Sequence, residues 1–128
     1  MVLTVHEVGL LAREELTQAD IQYFRGKYGM RFVKALRAVE EGRIIKYLFK
    51  PSGLTAWVVR GVKREYLVIP ENYCSCRSFY QSVVIAGEVD TCYHILAQKI
   101  AEVRGSYETI DSTDGERRKM HVVWRRTD

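Results

Sequence analysis

The sequence predicts an α+β fold for a single domain, residues 1–128. Three observations predict this class. Apolar residues recur at helical spacing near the N-terminus, short β-rich runs alternate with turns in the middle, and every cysteine lies in a later segment that also holds a helical pattern. We therefore divide the chain into a helical part (1–42), a strand-containing part with the cysteines (43–104) and a C-terminal extension (105–128).

Two helices are predicted in the N-terminal part. Thr17 is a suitable N-cap for a helix over residues 18–26, and Asp20 lies three positions later, where a carboxylate favours the helix N-terminus. A second helix is predicted over residues 31–41, ended by Gly42. Its apolar residues recur at helical spacing: Phe32, Val33, Leu36 and Val39.

Three short strands are predicted next, over residues 44–49, 55–60 and 65–69. The first is rich in branched and aromatic residues, and Pro51-Ser52-Gly53 forms a turn after it. A second turn over residues 61–64 leads into the third strand. Strands this short and this closely joined indicate a three-stranded antiparallel meander.

Two short helices are predicted among residues 74–104, and one more strand near the C-terminus. The clearer helix follows the last cysteine and ends at Gly105, and one of its faces is apolar: Tyr93, Leu96, Ala97, Ile100 and Ala101. The extension is polar as far as residues 120–126, where His121-Val122-Val123-Trp124 predicts the extra C-terminal strand.

A ligand-like pattern is formed by Cys74-Ser75-Cys76 and, after fifteen residues, by Cys92-Tyr93-His94. Zinc takes four tetrahedral ligands from thiolates and imidazoles, and a Cys3His set is a common structural combination. The sequence therefore predicts one structural zinc ion, Zn2+, held by these residues: Cys74, Cys76, Cys92 and His94.

The one-residue gaps place each pair of ligands in a definite local structure. In an extended segment residues i and i+2 point to the same side, so Cys74 and Cys76 are expected to leave the third strand together. In a helix such residues point apart, so Cys92 is expected at a helix start and His94 in its first turn. Asp90 and Thr91 stand where N-cap residues belong.

The CxC…CxH order resembles the SWIM zinc finger, which consists of strands followed by a helix. The resemblance covers residues 73–79 and 92–97, with Arg77 where the family often has proline, a position that holds no ligand. In length and block order, residues 28–104 also resemble the single-domain SWIM subunits of Shu-type recombination complexes. This resemblance implies action in homologous recombination beside a RecA-family recombinase paralogue.

Other uses of the cysteines and histidine are ordinary burial, a redox pair and a catalytic metal. A disulfide across one residue is strained and leaves Cys92 and His94 unexplained. Four protein ligands leave no position for a reacting water, and the chain shows no Ser-His-Asp set and no phosphate-binding glycine loop. Glu88 and Asp90 are expected to be loop and cap residues. We expect no enzyme activity and no small-molecule substrate.

Basic residues are the candidates for nucleic-acid contact, since the formal net charge of +4 mildly favours an acidic partner. The first group lies in a segment without acidic residues: Arg25, Lys27, Arg31, Lys34 and Arg37. The second group lies near the C-terminus: Arg117, Arg118, Lys119, Arg125 and Arg126. Each group is also explained as a solvated surface without a function. Trp124 is a candidate for a surface role, whereas Trp57 and Tyr66 are expected in the core.

Two functions are compatible with these features. The chain is either a DNA-binding accessory module of homologous recombination, or a protein adaptor for a RecA-family recombinase paralogue without direct DNA contact. Three cysteines, no signal-peptide pattern and no long apolar stretch predict a cytoplasmic or nuclear protein with no membrane partner.

Overall fold

The computed structural model describes residues 3–13, 15–61, 64–70, 73–76 and 92–124, and within these ranges it has the expected α+β fold. None of the helices there is long and apolar enough to cross a membrane. The helices are α1 (Val5–Leu11), α2 (Gln18–Tyr28), α3 (Met30–Glu40), α4 (Tyr93–Arg104) and α5 (Asp114–Trp124). The strands are β1 (Ile44–Lys50), β2 (Thr55–Arg60), β3 (Glu65–Ile69), β4 (Tyr73–Cys74) and β5 (Glu108–Thr113).

The N-cap of α2 is the one that the sequence predicted. The Thr17 hydroxyl accepts a hydrogen bond from the Asp20 N–H at 3.1 Å, and the Asp20 carboxylate accepts one from the Thr17 N–H at 3.1 Å. This reciprocal capping box satisfies two backbone donors at the helix start. The helix ends at Gly29, whose φ of 66° interrupts the chain before α3 begins.

The sheet has the strand order β4-β3-β2-β1-β5. Strands β1 to β4 pair antiparallel in sequence order, which confirms the predicted meander and adds a short fourth strand. Strand β5 pairs parallel with β1, with Ile110 opposite Tyr47. Helix α4 lies between the meander and β5 in the chain, which is the kind of crossover that a parallel pair requires.

Both faces of the sheet are covered. Helices α1 to α4 share one core with the inward residues of the sheet on that face: Ile44, Trp57, Val59 and Val68. On the opposite face a second cluster joins Trp124 of α5 to the remaining buried strand residues: Ile45, Tyr47, Phe49, Ala56 and Val58. Strand β1 contributes to both clusters, which explains why its sequence is apolar at adjacent positions.

The strand predicted over residues 120–126 is wrong. Residues up to Trp124 belong to α5, and the extra C-terminal strand is β5, at residues 108–113. Met120 and Trp124, one helical turn apart, pack against the second cluster, while Val122 and Val123 face solvent. Trp124, expected at the surface, is only 1% exposed. A shorter helix was also predicted before Cys92. Between Cys76 and Cys92 the chain lies outside the described ranges, at residues 77–91, so this prediction stays open.

Candidate metal centre

The four predicted ligands converge in the structure. The sulfur atoms of Cys74, Cys76 and Cys92 and the imidazole nitrogens of His94 offer one donor each, and these donors all lie within 4.8 Å of one another. All four side chains are buried. A metal bonded to sulfur at about 2.3 Å and to nitrogen at about 2.0 Å fits a group of this size.

The first two ligands are positioned by the short strand β4. Cys74 pairs with Val68 of β3, so it lies on a strand of its own rather than at the end of the third strand as predicted. Ser75 is buried between the two cysteines and binds Leu67 twice: its hydroxyl accepts from the Leu67 N–H at 2.9 Å, and its N–H donates to the Leu67 carbonyl at 3.0 Å. These bonds hold the Cys74–Cys76 segment against β3.

The role of Ser75 was not predicted from the sequence. A small polar residue between two ligands was the available signal, since successive residues of an extended segment point to opposite sides. The side chain that separates two metal ligands must therefore turn towards the neighbouring backbone, and a hydroxyl satisfies a backbone donor there.

The other two ligands are positioned by the start of α4. Cys92 is the N-cap residue, with extended backbone at φ −102° and ψ 168°, and His94 lies in the first helical turn. This arrangement is the predicted one. The cap position belongs to Cys92 itself, however, so the expectation that Asp90 or Thr91 caps this helix is wrong; both of these residues lie outside the described ranges.

The buried donors fit a thiophilic cation. Hydrogen bonds with Cys76 and Cys92, then burial, raise the pKa of Cys74 well above its ordinary range. A hydrogen bond with Cys74 lowers the pKa of Cys92, but one with Cys76 and burial outweigh it and raise that pKa to about 12. Neither nitrogen of buried His94 has a hydrogen-bond partner among the described residues. Zinc would stabilise the thiolates and give the imidazole its missing partner.

Aromatic rings enclose the histidine ligand. The ring centroid of His94 lies 4.6 Å from that of Tyr66 and 4.0 Å from that of Tyr93, and the Arg64 guanidinium lies 5.1 Å from the Tyr66 ring centroid. This packing restricts rotation of the imidazole. It also limits water near the site, so a Cys3His shell here is closed and cross-links β4 to α4.

The basic residues of α2 and α3 differ in their surroundings. Arg25, Lys34 and Arg37 are exposed, while Arg31 is half-buried and donates from Nε to the Tyr28 carbonyl at 3.3 Å. The Lys27 ammonium lies 2.9 Å from the carboxylate of fully buried Glu7. Lys27 is therefore engaged in an ion pair within the fold, whereas Arg25, Lys34 and Arg37 remain candidates for phosphate contact.

The C-terminal basic residues lie on the other side of the sheet. Arg117, Arg118 and Lys119 belong to α5, which covers the face opposite to α1–α4. The Lys119 ammonium is 3.8 Å from Glu116. The two predicted basic groups therefore do not form one continuous surface. Arg125 and Arg126 lie outside the described ranges.

Comparison with known proteins adds evidence on the finger. The chain is 33% identical over 84 residues to the curated "Zinc finger SWIM domain-containing protein 7 homolog" of Dictyostelium discoideum. The match covers 64% of this chain and 54% of that relative, so the chain spans about half the relative's length. No protein-family profile and no solved structure matches. The similarity to this SWIM-domain protein and the converging donors agree on a CxC…CxH zinc site, with Cys74, Cys76, Cys92 and His94 as the residues that hold one structural zinc ion.

Proposed function

We propose that this chain is a non-enzymatic, DNA-binding accessory module of homologous recombination whose zinc ion is structural. The observation that carries the proposal is the position of the exposed cations beside the finger. Lys34 of α3 lies 6.0 Å from the ring centroid of Tyr93, the residue between the last two ligands. Arg25 of α2 and Arg37 of α3 are also exposed.

Such a surface suits a nucleic-acid backbone. Lysine and arginine side chains contact phosphates, and a partly exposed aromatic ring offers a stacking surface for an unpaired base. Tyr93 is half-buried, so part of its ring is accessible next to Lys34. The finger then fixes the aromatic group relative to the cations, because Tyr93 immediately precedes the ligand His94.

The recombination context rests on the resemblance to Shu-type SWIM subunits, and the non-enzymatic role rests on the chemistry of the site. A closed Cys3His shell offers no position for a reacting water or substrate. The buried donors are also enclosed by Tyr66 and Tyr93. Such a site contributes stability and geometry.

The test is affinity of the zinc-loaded protein for single- and double-stranded DNA across a salt series. We expect the logarithm of the affinity to fall linearly with that of the salt concentration. In a Lys34→Glu, Arg37→Glu variant we expect weaker binding and a shallower salt dependence, with the slope reduced by about one for each phosphate that the variant no longer binds.

A matched control is the Arg117→Glu, Arg118→Glu variant, which carries the same charge change on the opposite side of the sheet. We expect its affinity to fall much less. Absence of binding by the wild type at low salt would contradict direct DNA binding. Equal losses in both variants would contradict the assignment of the α2–α3 surface and indicate a nonspecific effect of net charge.

A second candidate function is a protein adaptor for a RecA-family recombinase paralogue, and one cavity favours it. A surface cavity of about 520 Å³ lies beside α3, with apolar residues in its lining: Leu16, Ile21, Leu36 and Val39. Glu15, Glu40 and Arg104 also line it. A concavity lined by both apolar and charged side chains can accept the anchor side chain of a protein partner.

The adaptor function is tested by calorimetric titration of the protein with a purified RecA-family paralogue. We expect Leu36→Glu to abolish binding, because it introduces a charge into the cavity, while Lys34→Glu binds as the wild type does. If DNA binding is the function, Lys34→Glu weakens binding in the DNA assay, while Leu36→Glu binds DNA as the wild type does. Absence of paralogue binding by the wild type would contradict the adaptor function.

A further inference from the structure

A second unpartnered polar group lies close to the zinc ligands in sequence. Gln98 of α4 is 0% exposed, and neither its amide oxygen nor its amide nitrogen has a hydrogen-bond partner among the described residues. A buried primary amide without partners is unfavourable, because it has lost its hydrogen bonds to water without replacement. The rest of the buried face of α4 is apolar apart from His94, so the two unpartnered polar side chains belong to one helix.

The helix geometry brings these two side chains together. Gln98 follows His94 by four residues, and residues four apart are neighbours on one face of a helix. Long side chains on a helix lean towards its N-terminus and cover the preceding turn. Helix geometry therefore places the Gln98 side chain over the turn that contains His94.

The chemistry of a zinc-bound imidazole determines whether the oxygen or the nitrogen of the Gln98 amide can bind it. One ring nitrogen bonds the metal and the other carries a proton, so the remaining group is a hydrogen-bond donor. Metal-bound histidines almost always give this proton to a carboxylate, a carbonyl or water, which fixes the tautomer and the ring orientation. The amide oxygen of Gln98 is an acceptor of this kind.

We propose that Gln98 is the positioning residue of the zinc site: its amide oxygen accepts the hydrogen bond from the His94 ring nitrogen that zinc leaves free. The bond gives the buried amide oxygen of Gln98 a donor and the free N–H of His94 an acceptor. It also holds the imidazole in the orientation in which its other nitrogen faces the three cysteines. This inference does not depend on whether the protein binds DNA or a protein partner.

The test is zinc affinity, measured by competition with a chromophoric chelator, in the Gln98→Met variant. Methionine has similar length and volume but is not an adequate acceptor. We expect a 10- to 100-fold loss of zinc affinity, as is typical for removal of such a partner. The metal-free protein should be as stable as the wild type or more stable, because an unsatisfied buried amide has been replaced by an apolar group.

The matched control is Gln22→Met, the same substitution at an exposed position of α2. We expect wild-type zinc affinity in this variant. If Gln98→Met also keeps wild-type zinc affinity, Gln98 is a buried residue without a role at the metal and the proposal is overturned.

A second measurement leaves Gln98 unchanged, in case the variant does not fold. In the zinc-loaded wild type, histidine-selective ¹⁵N NMR is expected to show one metal-bound nitrogen of His94 and one protonated nitrogen. The proton on the latter should exchange slowly with water and show a cross-peak to the Gln98 side chain. A rapidly exchanging proton, or contact with another acceptor, would overturn the proposal.

Discussion

Single residues of the metal centre join parts of the chain that are far apart in sequence. Cys74 and Cys76 are held by β3 and β4, while Cys92 and His94 are held by α4. Because all four donors are buried, loss of one ligand leaves the others protonated or unpartnered inside the core. Zinc bound by small fingers contributes on the order of 10 kcal/mol to folding, so each ligand matters for stability as well as for affinity.

We expect His94→Ala to lose zinc affinity by more than the roughly 10- to 100-fold that is typical of changes outside the ligand shell. It should also lose helical circular dichroism, since α4 begins at the ligands. The measurement is zinc stoichiometry by elemental analysis after dialysis against a chelator. His6→Ala is the control, because His6 is exposed and lies outside the ligand cluster. Retention of stoichiometric zinc by His94→Ala would show that the ligand set is different.

Glu7 is a buried acid that connects α1 to α2. Its carboxylate accepts hydrogen bonds from the Thr4 N–H, from the hydroxyls of Tyr23 and Tyr28, and from the Lys27 ammonium. Burial alone would raise the pKa of Glu7. The hydrogen bonds from Thr4, Lys27 and Tyr28 and the charge of Lys27 outweigh burial, so its pKa lies below 4.5. The carboxylate therefore stays ionised at neutral pH.

We expect Glu7→Gln to lower the free energy of unfolding by about 1–3 kcal/mol, because an amide group then faces donors that had a carboxylate as acceptor. Urea unfolding of the zinc-loaded protein at pH 7 measures the change. Glu40→Gln, an exposed residue of α3, is the control and should remain within about 0.5 kcal/mol of the wild type. Equal stability of Glu7→Gln and the wild type would show that the Glu7 bonds contribute nothing net.

The stabilisation by Glu7 should depend on pH in a definite direction. A carboxylate whose folded-state pKa is below its ordinary value of 4.5 stabilises the fold above pH 4.5, and this contribution is lost as pH falls through the folded-state pKa. The stability difference between wild type and Glu7→Gln should be constant from pH 7 to about 5 and shrink below 4.5. Comparing the two proteins at each pH cancels any effect of zinc release. A difference that grows on acidification would contradict this assignment.

At the scale of elements, Trp124 is the largest side chain through which α5 packs against the sheet. Trp124 packs beside Tyr47 and Phe49 of β1 in the cluster beneath α5, with ring centroids of Trp124 and Tyr47 5.9 Å apart. The neighbouring residues Val122 and Val123 are exposed. The helix thus covers its face of the sheet mainly through a single large side chain and the half-buried Met120.

We expect Trp124→Ala to destabilise the protein by about 3–5 kcal/mol, the usual cost of removing a large buried aromatic side chain. Chemical denaturation measures the change. Val123→Ala, at the adjacent exposed position, should be within about 0.5 kcal/mol of the wild type. If both variants behave alike, α5 is not anchored through Trp124.

At the scale of the whole molecule, the metal centre belongs to the main core. Cys74, Cys76 and Cys92 lie in the same cluster as the buried residues of α1 to α4, including Phe24, Phe32 and Ile100. The finger is therefore not a separate unit that is attached to an independent domain. Loss of the metal should weaken the packing of the helices against the sheet throughout this cluster.

We expect removal of zinc by a chelator to lower the melting temperature of the whole molecule in one cooperative transition. Far-ultraviolet circular dichroism reports the helices, and tryptophan fluorescence reports Trp57 and Trp124, which belong to the clusters on opposite faces of the sheet. The two signals should change together before and after chelation. A tryptophan transition that stays unchanged while helicity falls would indicate an independently folding finger.

Much of the local structure and the ligand set could be predicted because the determining residues are neighbours in sequence. Thr17 and Asp20 define a cap within four residues, the runs in β1 to β3 carry their own β-branched and aromatic residues, and the spacing of the cysteines and His94 is typical of a Cys3His site. These features need no information about distant contacts. The fold class, the meander and the metal ligands were therefore determined by the sequence alone.

The tertiary structure decided the features that depend on distant partners. Strand β5 is polar and becomes a strand through pairing with β1, whereas Val122-Val123-Trp124 forms a helix because Trp124 fills the cluster beneath α5. Lys27 is exposed but forms an ion pair with Glu7, twenty residues earlier in the chain. Hydrogen bonding, burial and ion pairing between distant segments overrode local propensity at these positions. Such contacts cannot be predicted from the local sequence, because the partner residues are far away in the chain.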